Sequence, residues 1–139
     1  MKKEPKWLSK ISVLAIQEIL IVEYSGAPGV LDEGRLESAL SSPKNHFAYG
    51  KTDLFEMAAT YASAIVRDHP FKDGNKRVGL TIAGVFLELN GYRLTAPEEE
   101  AVAMTVGLAA RKINPEEFAK WLRGNCEKVV EKRHLKKRR

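Results

Sequence analysis

The feature that most constrains the fold is a helical spacing of apolar residues, which recur every three or four positions along most of the chain. The first such stretch, Lys10–Tyr24, is typical of an amphipathic helix. Alternation of apolar and polar residues, the strand pattern, does not reach four residues except beside Phe47–Gly50. The sequence therefore predicts an all-α fold, a compact bundle of about six helices.

Capping and breaking residues define the ends of the next helices. Asp32 is suited to cap a short helix over 33–41, which we expect to end before Pro43 because the residue before proline disfavours helical angles. Residues 43–52 are then predicted to form a loop or a small hairpin. Asp53 is predicted to cap the third helix, whose wide apolar face favours a central position in the bundle.

The second half of the chain has equally clear signals. The fourth helix is predicted to begin near Asp73 and to end at Asn90-Gly91, where glycine accepts left-handed angles. The spacing of Thr95–Glu98 matches a capping box, which predicts a fifth helix over about 96–111. Asn114-Pro115 then begins a sixth helix, with an N-cap residue followed by proline in the first turn.

Positive charge is concentrated at the C-terminus. The chain carries a net charge of +5, but residues 128–139 alone hold seven Lys or Arg and one Glu, so the remainder has a net charge of −1. We therefore predict one folded domain over 1–125 and a basic tail over 126–139. A neutral domain does not favour nucleic-acid binding, so contact with nucleic acid is expected only through the tail, which can equally be a solvated helix end.

The composition also bears on location. Apolar residues make up 44% of the chain, which excludes disorder throughout, and the single Cys126 excludes an intrachain disulfide and a Cys-rich metal site. The apolar stretch Ile11–Tyr24 is interrupted by polar residues and too short to cross a bilayer, and Met1–Lys10 does not read as a signal peptide. We therefore expect a cytoplasmic protein without a membrane partner.

One segment, His69–Arg77 (HPFKDGNKR), does not look like packing. Acidic residues are preferred in the first turn of a helix, and cations there are disfavoured because they lie at the positive end of the helix dipole. A departure from this preference often marks a functional site. A bound anion resolves the conflict, since free N–H groups at a helix start already bind phosphate. Gly74 allows close approach of the backbone, Asn75 can donate an amide hydrogen bond, and Lys76 and Arg77 supply charge and a planar fork.

The same segment holds groups for chemistry on phosphate. Asp73 suits a magnesium ion that shares phosphate oxygens, although it can also act as a plain N-cap. His69 can take the proton from an attacking hydroxyl. Phe71 is interpreted as an anchor that gives the loop one shape. These parts together indicate phosphoryl or nucleotidyl transfer.

The segment His69–Arg77 resembles the signature of the Fic/Doc family, H-x-F-x-[DE]-[GA]-N-[GK]-R. The stretches Leu54–Tyr61, Phe86–Tyr92 and Asp32–Leu40 also resemble the death-on-curing (Doc) branch of that family. Together the resemblance covers about residues 10–123. It implies a Fic-type helical fold with a short loop or hairpin flap before the central helix pair.

The resemblance also implies roles for individual residues. It implies that His69 is a general base on a protein hydroxyl, that Asp73 is a magnesium ligand, and that Gly74, Asn75 and Arg77 bind phosphate. The residue at position 76 separates the branches. Fic proteins that transfer AMP usually carry glycine there, whereas Doc toxins carry lysine and use ATP to phosphorylate a threonine of elongation factor Tu, which arrests translation.

Lys76 therefore favours a Doc-like toxin kinase that uses ATP and Mg²⁺ and acts on a translation factor similar to elongation factor Tu. Two alternatives remain: a protein AMP or nucleotidyl transferase, and an inactive nucleotide-binding module tethered by its basic tail. The resemblance also implies inhibition by an antitoxin of the Phd type, part of which would fold on binding into an apolar groove.

Two departures from the family pattern bear on the site. Val78–Thr81 stands where the family usually shows Thr-Ala-Leu and then often Asn, so Thr81, one turn past Arg77, is expected to replace that Asn as a nucleotide contact. No internal inhibitory motif [ST]-x-x-x-E-[GN] is present, because Thr95–Glu99 is followed by Glu100. Inhibition is therefore expected to come from the antitoxin.

Overall fold

The computed structural model describes residues 3–129, and these contain six α-helices and one two-stranded antiparallel sheet. This confirms the prediction of an all-α bundle. No helix in residues 3–129 is both long and apolar enough to cross a bilayer. In chain order the elements are α1 (Lys10–Tyr24), α2 (Glu33–Ala48), α3 (Leu54–Asp68), α4 (Asn75–Leu89), β1 (Tyr92–Leu94), α5 (Glu98–Ala109), α6 (Pro115–Gly124) and β2 (Cys126–Lys128).

Helices α3 and α4 form the centre of the bundle, as their apolar faces predict. α3 packs against α2, α4, α5 and α6, and Tyr61, Ile65 and Val66 are fully buried along it. The close approach of the central pair depends on Gly79, where a Cβ would lie 2.6 Å from a methyl carbon of Val66. The site segment therefore connects the two most rigidly packed helices.

The predicted end of the second helix is wrong, because α2 continues through Pro43 to Ala48. Proline inside a helix removes a hydrogen bond and costs about 3 kcal/mol. Leu36, Leu40 and Pro43 are buried at helical spacing, and Phe47 packs partly buried against the same core. Burial of this stripe against α3 offsets the cost of the proline. No hairpin forms over 43–52, and only a short loop separates α2 from α3.

The fifth helix is shorter than predicted, and the capping box at its start is not formed. α5 begins at Glu98 after Pro97, with no side-chain cap. The backbone N–H and the side-chain hydroxyl of Thr95 both donate to the carbonyl of Asn125 instead, at 2.7 and 3.0 Å. Thr95 thus extends the pairing of β1 with β2 by one residue, since it directly follows β1 and Asn125 directly precedes β2.

The two short strands were not predicted. β1 and β2 pair antiparallel over three residues, with Leu94 opposite Cys126, and three residues are too few to produce a recognisable alternation. Cys126–Lys128 thus lies in the folded body, although it begins the segment assigned to the basic tail. Residues 130–139, which carry most of the predicted tail, lie outside the described residues, and the division into 1–125 and 126–139 stays a prediction.

We predict opposite effects of alanine at two glycines of α4. Gly79→Ala places a methyl group against Val66 and the carbonyl of Ala62, so we expect the free energy of unfolding to fall by about 1–3 kcal/mol. Gly84→Ala meets no atom within 4 Å, and we expect a gain of about 0.5–1 kcal/mol from helix propensity. Urea denaturation of both variants measures this; equal effects would contradict the close packing of α3 on α4.

Candidate active site

The segment His69–Arg77 forms the turn between α3 and α4. His69 is the C-cap of α3, with a left-handed backbone (φ 52°), and its backbone N–H donates to Ile65. Its side chain is exposed. Gly74, also left-handed (φ 77°), precedes the first residue of α4. The turn therefore has two left-handed positions, one at each helix end.

This turn is held by the loop between α1 and α2. The carbonyl of Pro70 accepts hydrogen bonds from the backbone N–H groups of Leu31 and Asp32, at 2.7 and 3.1 Å. The N–H of Lys72 donates to the carbonyl of Gly29 at 3.1 Å, and Val30 forms an isolated antiparallel bridge with Phe71. The two loops thus pair through their backbones, although they lie about 40 residues apart in sequence.

Gln17 of α1 links the same two loops by its side chain. It is 2% exposed, and its amide nitrogen lies 3.3 Å from the carbonyl of Asp73 and 3.5 Å from that of Ala27. Its amide oxygen accepts from the N–H of Gly29 at 3.4 Å. A buried amide with all these partners fixes α1, the α1–α2 loop and the turn relative to one another.

Phe71 and Asn75 shape the turn from within. The ring of Phe71 is buried in the core. The side-chain oxygen of Asn75 accepts from the N–H of Phe71, and its amide nitrogen donates to the carbonyl of the same residue, both at 3.0 Å. The side chain of Asn75 is buried and bonded to Phe71, so it stabilises the turn. Only its backbone N–H is left to bind a ligand at the start of α4.

The N-terminus of α4 lacks the side-chain cap that α2, α3 and α6 have. Asp32, Asp53 and Asn114 accept hydrogen bonds from the first turns of α2, α3 and α6. α4 has no side-chain cap and no acidic residue in its first turn. Its first residues are Asn75, then Lys76 and Arg77. Unpaired N–H groups and the positive end of the dipole there remain available to an anion.

A cavity of about 300 Å³ lies at this uncapped end. The residues of α4 and the turn that line it are Asp73, Gly74, Asn75, Lys76 and Arg77, and α1 and its C-terminal end contribute Leu20, Ile21, Tyr24 and Gly26. Lys76 and Arg77 are exposed, so their charges face the cavity and solvent. The sequence-predicted phosphate ligands therefore meet in one place, except Thr81.

Tyr24 adds a contact that the sequence did not suggest. The guanidinium carbon of Arg77 lies 3.6 Å from the centre of the Tyr24 ring. A hydrogen bond to Glu23 raises the pKa of Tyr24, so the ring stays a neutral phenol beside the cation at physiological pH. A cation–π contact of this kind holds the planar fork in one orientation.

The carboxylate of Asp73 points toward the α1–α2 loop. One of its oxygens accepts from the N–H of Gly74 at 2.9 Å, and the other accepts from the N–H of Ala27 at 3.3 Å. Gly26 makes room for it, since a Cβ there would lie 2.7 Å from a carboxylate oxygen of Asp73. The α1–α2 loop therefore sets the position of this carboxylate.

The donor set fits a magnesium ion that arrives with phosphate. No group of three or more Asp, Glu, His or Cys side chains that could hold a metal exists within residues 3–129. Asp73 alone is a single carboxylate whose oxygens each retain acceptor capacity. Magnesium commonly takes one or two carboxylates, phosphate oxygens and its own waters, so one carboxylate at a phosphate site is sufficient.

Two predicted site residues lie apart from this cavity. His69 is not among its lining residues, and it stands exposed at the end of α3, five positions before Gly74. Thr81 lines a neighbouring cavity of about 320 Å³ on the outer face of α4, together with Gly84 and Glu88. The two cavities follow one another along α4, with Arg77 and Thr81 one turn apart.

Sequence reasoning missed Gln17, Tyr24 and Gly26. A polar residue inside the apolar face of the first helix was a visible signal for Gln17. Tyr24 and Gly26 gave no such signal, because their importance comes from a long-range contact with the turn.

The chain matches known proteins over most of its length. Residues 7–87 match the family model described as Fic/DOC family. The chain is 38% identical over 117 residues to "Protein kinase doc" of Escherichia phage P1, covering 84% of this chain and 92% of that protein. It is 33% identical over 79 residues to "Toxin Doc" of Mycolicibacterium smegmatis, covering 54% of this chain and 59% of that protein. With the signature segment folded around an uncapped helix N-terminus, the chain belongs to the Fic/DOC family, in its Doc branch.

Proposed function

We propose that this protein is a Doc-like toxin that transfers the γ-phosphate of ATP to a hydroxyl of a translation factor similar to elongation factor Tu, in the cytoplasm. Membership of the Doc branch supports a toxin that acts as a transferase. The names of the two relatives, one a protein kinase and the other a toxin, point the same way. Lys76, which stands where AMP-transferring relatives usually carry glycine, favours phosphoryl transfer.

The observation that carries the proposal is the uncapped N-terminus of α4. Lys76 and Arg77 stand in its first turn, where acidic residues are usual, and no side chain caps it. Two neighbouring cations and free N–H groups match the charge of a polyphosphate. We assign the β- and γ-phosphates to this end, with Gly74 allowing the closest approach.

The transfer requires a base, which we assign to His69. The oxygen of the target hydroxyl attacks the γ-phosphorus, the bond between that phosphorus and the bridging oxygen to the β-phosphate breaks, and ADP leaves. The hydroxyl proton moves to the imidazole of His69. Asp73 would hold a magnesium ion together with the phosphates, and such an ion would neutralise phosphate charge. Arg77 and the N–H groups of α4 bind the phosphate oxygens during the step.

We assign the rest of the nucleotide to the outer face of α4. The cavity that Thr81 lines follows the phosphate cavity along the helix, and Gly84 leaves open space there. A nucleotide with its phosphates at Gly74 can extend along this face, where Thr81 offers a hydroxyl.

The position of the label in ATP separates the candidate reactions. With the purified protein and a bacterial lysate, we expect label from γ-³²P ATP, and none from α-³²P ATP, on a protein of the size of elongation factor Tu. Label from the α position identifies a nucleotidyl transferase instead. Absence of label from both positions identifies an inactive binding module and refutes the proposal.

We predict that His69→Asn lowers the transfer rate by about 100- to 10,000-fold, the usual contribution of a general base. Asparagine accepts the left-handed backbone of this position, so the helix end is preserved, and His69→Ala, which does not favour that backbone, serves as the comparison. The rate of γ-label transfer and the melting temperature are measured together. Full activity of His69→Asn with unchanged melting would remove His69 from the mechanism.

An antitoxin of the Phd type is the partner that we propose for α1. Ile11, Ile19 and Val22 are exposed large apolar residues on this helix, with Val22 80% exposed. A groove of about 720 Å³ beside them runs along α1 to Gly29 and shares Ile21 and Gly26 with the phosphate cavity. An amphipathic antitoxin segment seated there would bury this face and lie next to the phosphates.

We predict that Val22→Glu escapes neutralisation. The charge would stand in the apolar contact, so co-expression with the product of the adjacent reading frame should no longer rescue growth, while toxicity without it is retained. Val106→Glu makes the same change at an exposed valine of α5 and should remain neutralised. Equal rescue of both variants would exclude α1 as the antitoxin surface.

A further inference from the structure

A further cavity, distinct from the phosphate site, lies between α2, α3 and the start of α6. Its volume is about 260 Å³, and it shares no lining residue with the phosphate cavity. Its polar lining includes Glu56, Glu116, Lys51, His46 and Ser63. None of these residues has a role in the proposed transfer.

Ser63 indicates that the cavity takes a ligand. It is only 9% exposed, and its hydroxyl makes no hydrogen bond to any residue in the part of the chain that the structure describes. No fully buried side-chain N or O atom in these residues lacks a partner. The hydroxyl of Ser63 therefore keeps contact with open space, which is the cavity that it lines. An unpartnered hydroxyl that faces this cavity from a nearly buried residue favours a hydrogen-bonding guest.

The charges of the cavity favour a cationic guest. Glu56 and Glu116 form no ion pair within residues 3–129, and Lys51, the single Lys or Arg that lines the cavity, is not paired with either. Thr60 donates its hydroxyl proton to the backbone carbonyl of Glu56, so it accepts from Nδ1 of His46, 3.3 Å away. The two carboxylates outnumber the single ammonium among the Lys, Arg, Asp and Glu side chains that line the cavity.

The end of α6 does not offset this charge. Its N-terminus is closed by a capping box in which the side chain of Asn114 accepts from the N–H of Glu117 and that of Glu117 accepts from the N–H of Asn114. Its dipole is therefore already matched by acidic residues, unlike that of α4. Pro115 has no N–H, and the N–H groups of Glu117 and Phe118 are already bound to Asn114, so the first turn of α6 offers an anion at most the N–H of Glu116, whereas a cation gains two carboxylates.

The cavity lies at a set distance from His69 along α3. Thr60 and Ala64 line it, nine and five residues before His69, which corresponds to roughly 8–14 Å of helix. Arg67 and Asp68 continue the same outer stripe toward His69 and are not buried. An extended peptide covers that distance in about two to four residues, at about 3.3 Å each.

We propose that this cavity binds a lysine or arginine side chain of the protein substrate, two to four residues from the hydroxyl that is modified. The cation lies between Glu56 and Glu116 and donates to Ser63, and the alkyl stem contacts Ala64 and Pro115. This inference rests on the proposed function, because the acceptor hydroxyl is placed at His69. It adds a specificity site that is separate from the chemistry.

The first test is a titration of the full chain with N-acetyl-arginine amide. Binding is monitored by NMR through the backbone amide resonances. We expect saturable shifts at Ser63, Ala64 and Glu116, and none with the neutral isostere N-acetyl-citrulline amide. Glu116→Gln should weaken the binding about tenfold. Glu99→Gln is the matched control, since Glu99 is likewise the second residue of its helix and lines neither cavity, and it should bind as the wild type.

The second test measures transfer of γ-label to the labelled lysate protein after its purification. Glu116→Gln should raise KM for that protein about tenfold while kcat and KM for ATP stay unchanged. Unchanged KM, or no saturable shifts with N-acetyl-arginine amide, overturns the inference even where the wild type is an active kinase. If the wild type transfers no label, the proposed function fails, and the titration alone then decides whether the cavity is a cation site.

Discussion

The site depends on the backbone pairing between the α1–α2 loop and the turn after α3. Three hydrogen bonds and the bridge from Val30 to Phe71 join two segments that are far apart in sequence. Each such hydrogen bond contributes about 1 kcal/mol net to stability, whereas a buried donor or acceptor that loses its partner costs about 1–3 kcal/mol. The hydrogen bonds of this pairing are therefore expected to form together. Gln17 ties α1 to both loops by one buried amide. Because Asp73 accepts from Ala27 and needs the space at Gly26, the carboxylate to which we assign the metal is positioned by a segment outside the family signature.

The electrostatics of α4 explain why this turn is held so firmly. Lys76 and Arg77 lie near free N–H groups and raise the free energy of the empty helix end. The ring of Tyr24 stacks on the guanidinium of Arg77 and offsets part of this unfavourable electrostatic free energy. A bound anion would offset the rest. Without rigid neighbours the first turn would fray and relieve the repulsion by unfolding. The buried side chains of Phe71 and Asn75 hold the first turn in place, so the proposed phosphate would meet a helix end that is already formed.

Local signals predicted the fold well, and the failures have physical causes. Asp53 and Asn114 cap the helices that they were expected to cap, because a cap needs only its own first turn. Pro43 was misjudged, because the buried stripe that carries α2 past it depends on α3. The signature segment was recognisable from charge alone. The α1–α2 loop was not, since nothing near Gly26 in sequence indicates that Asp73 needs its space.

The two helices that flank the turn, α3 and α4, have different roles in the proposed site. α4 carries the unpaired N–H groups and the cations to which we assign the phosphates, and changes along its outer face are expected to affect nucleotide binding. α3 ends at His69 and carries the acidic cavity along its outer stripe, so the proposed binding of the protein substrate depends on this helix. The helices pack closely where Gly79 meets Val66, and this contact sets the distances between the start of α4, His69 and the acidic cavity. If the packing at that contact shifted by about one ångström, the turn between the two helices would move by a similar amount. The geometry of the site would then change although no residue that touches a reactant had been replaced.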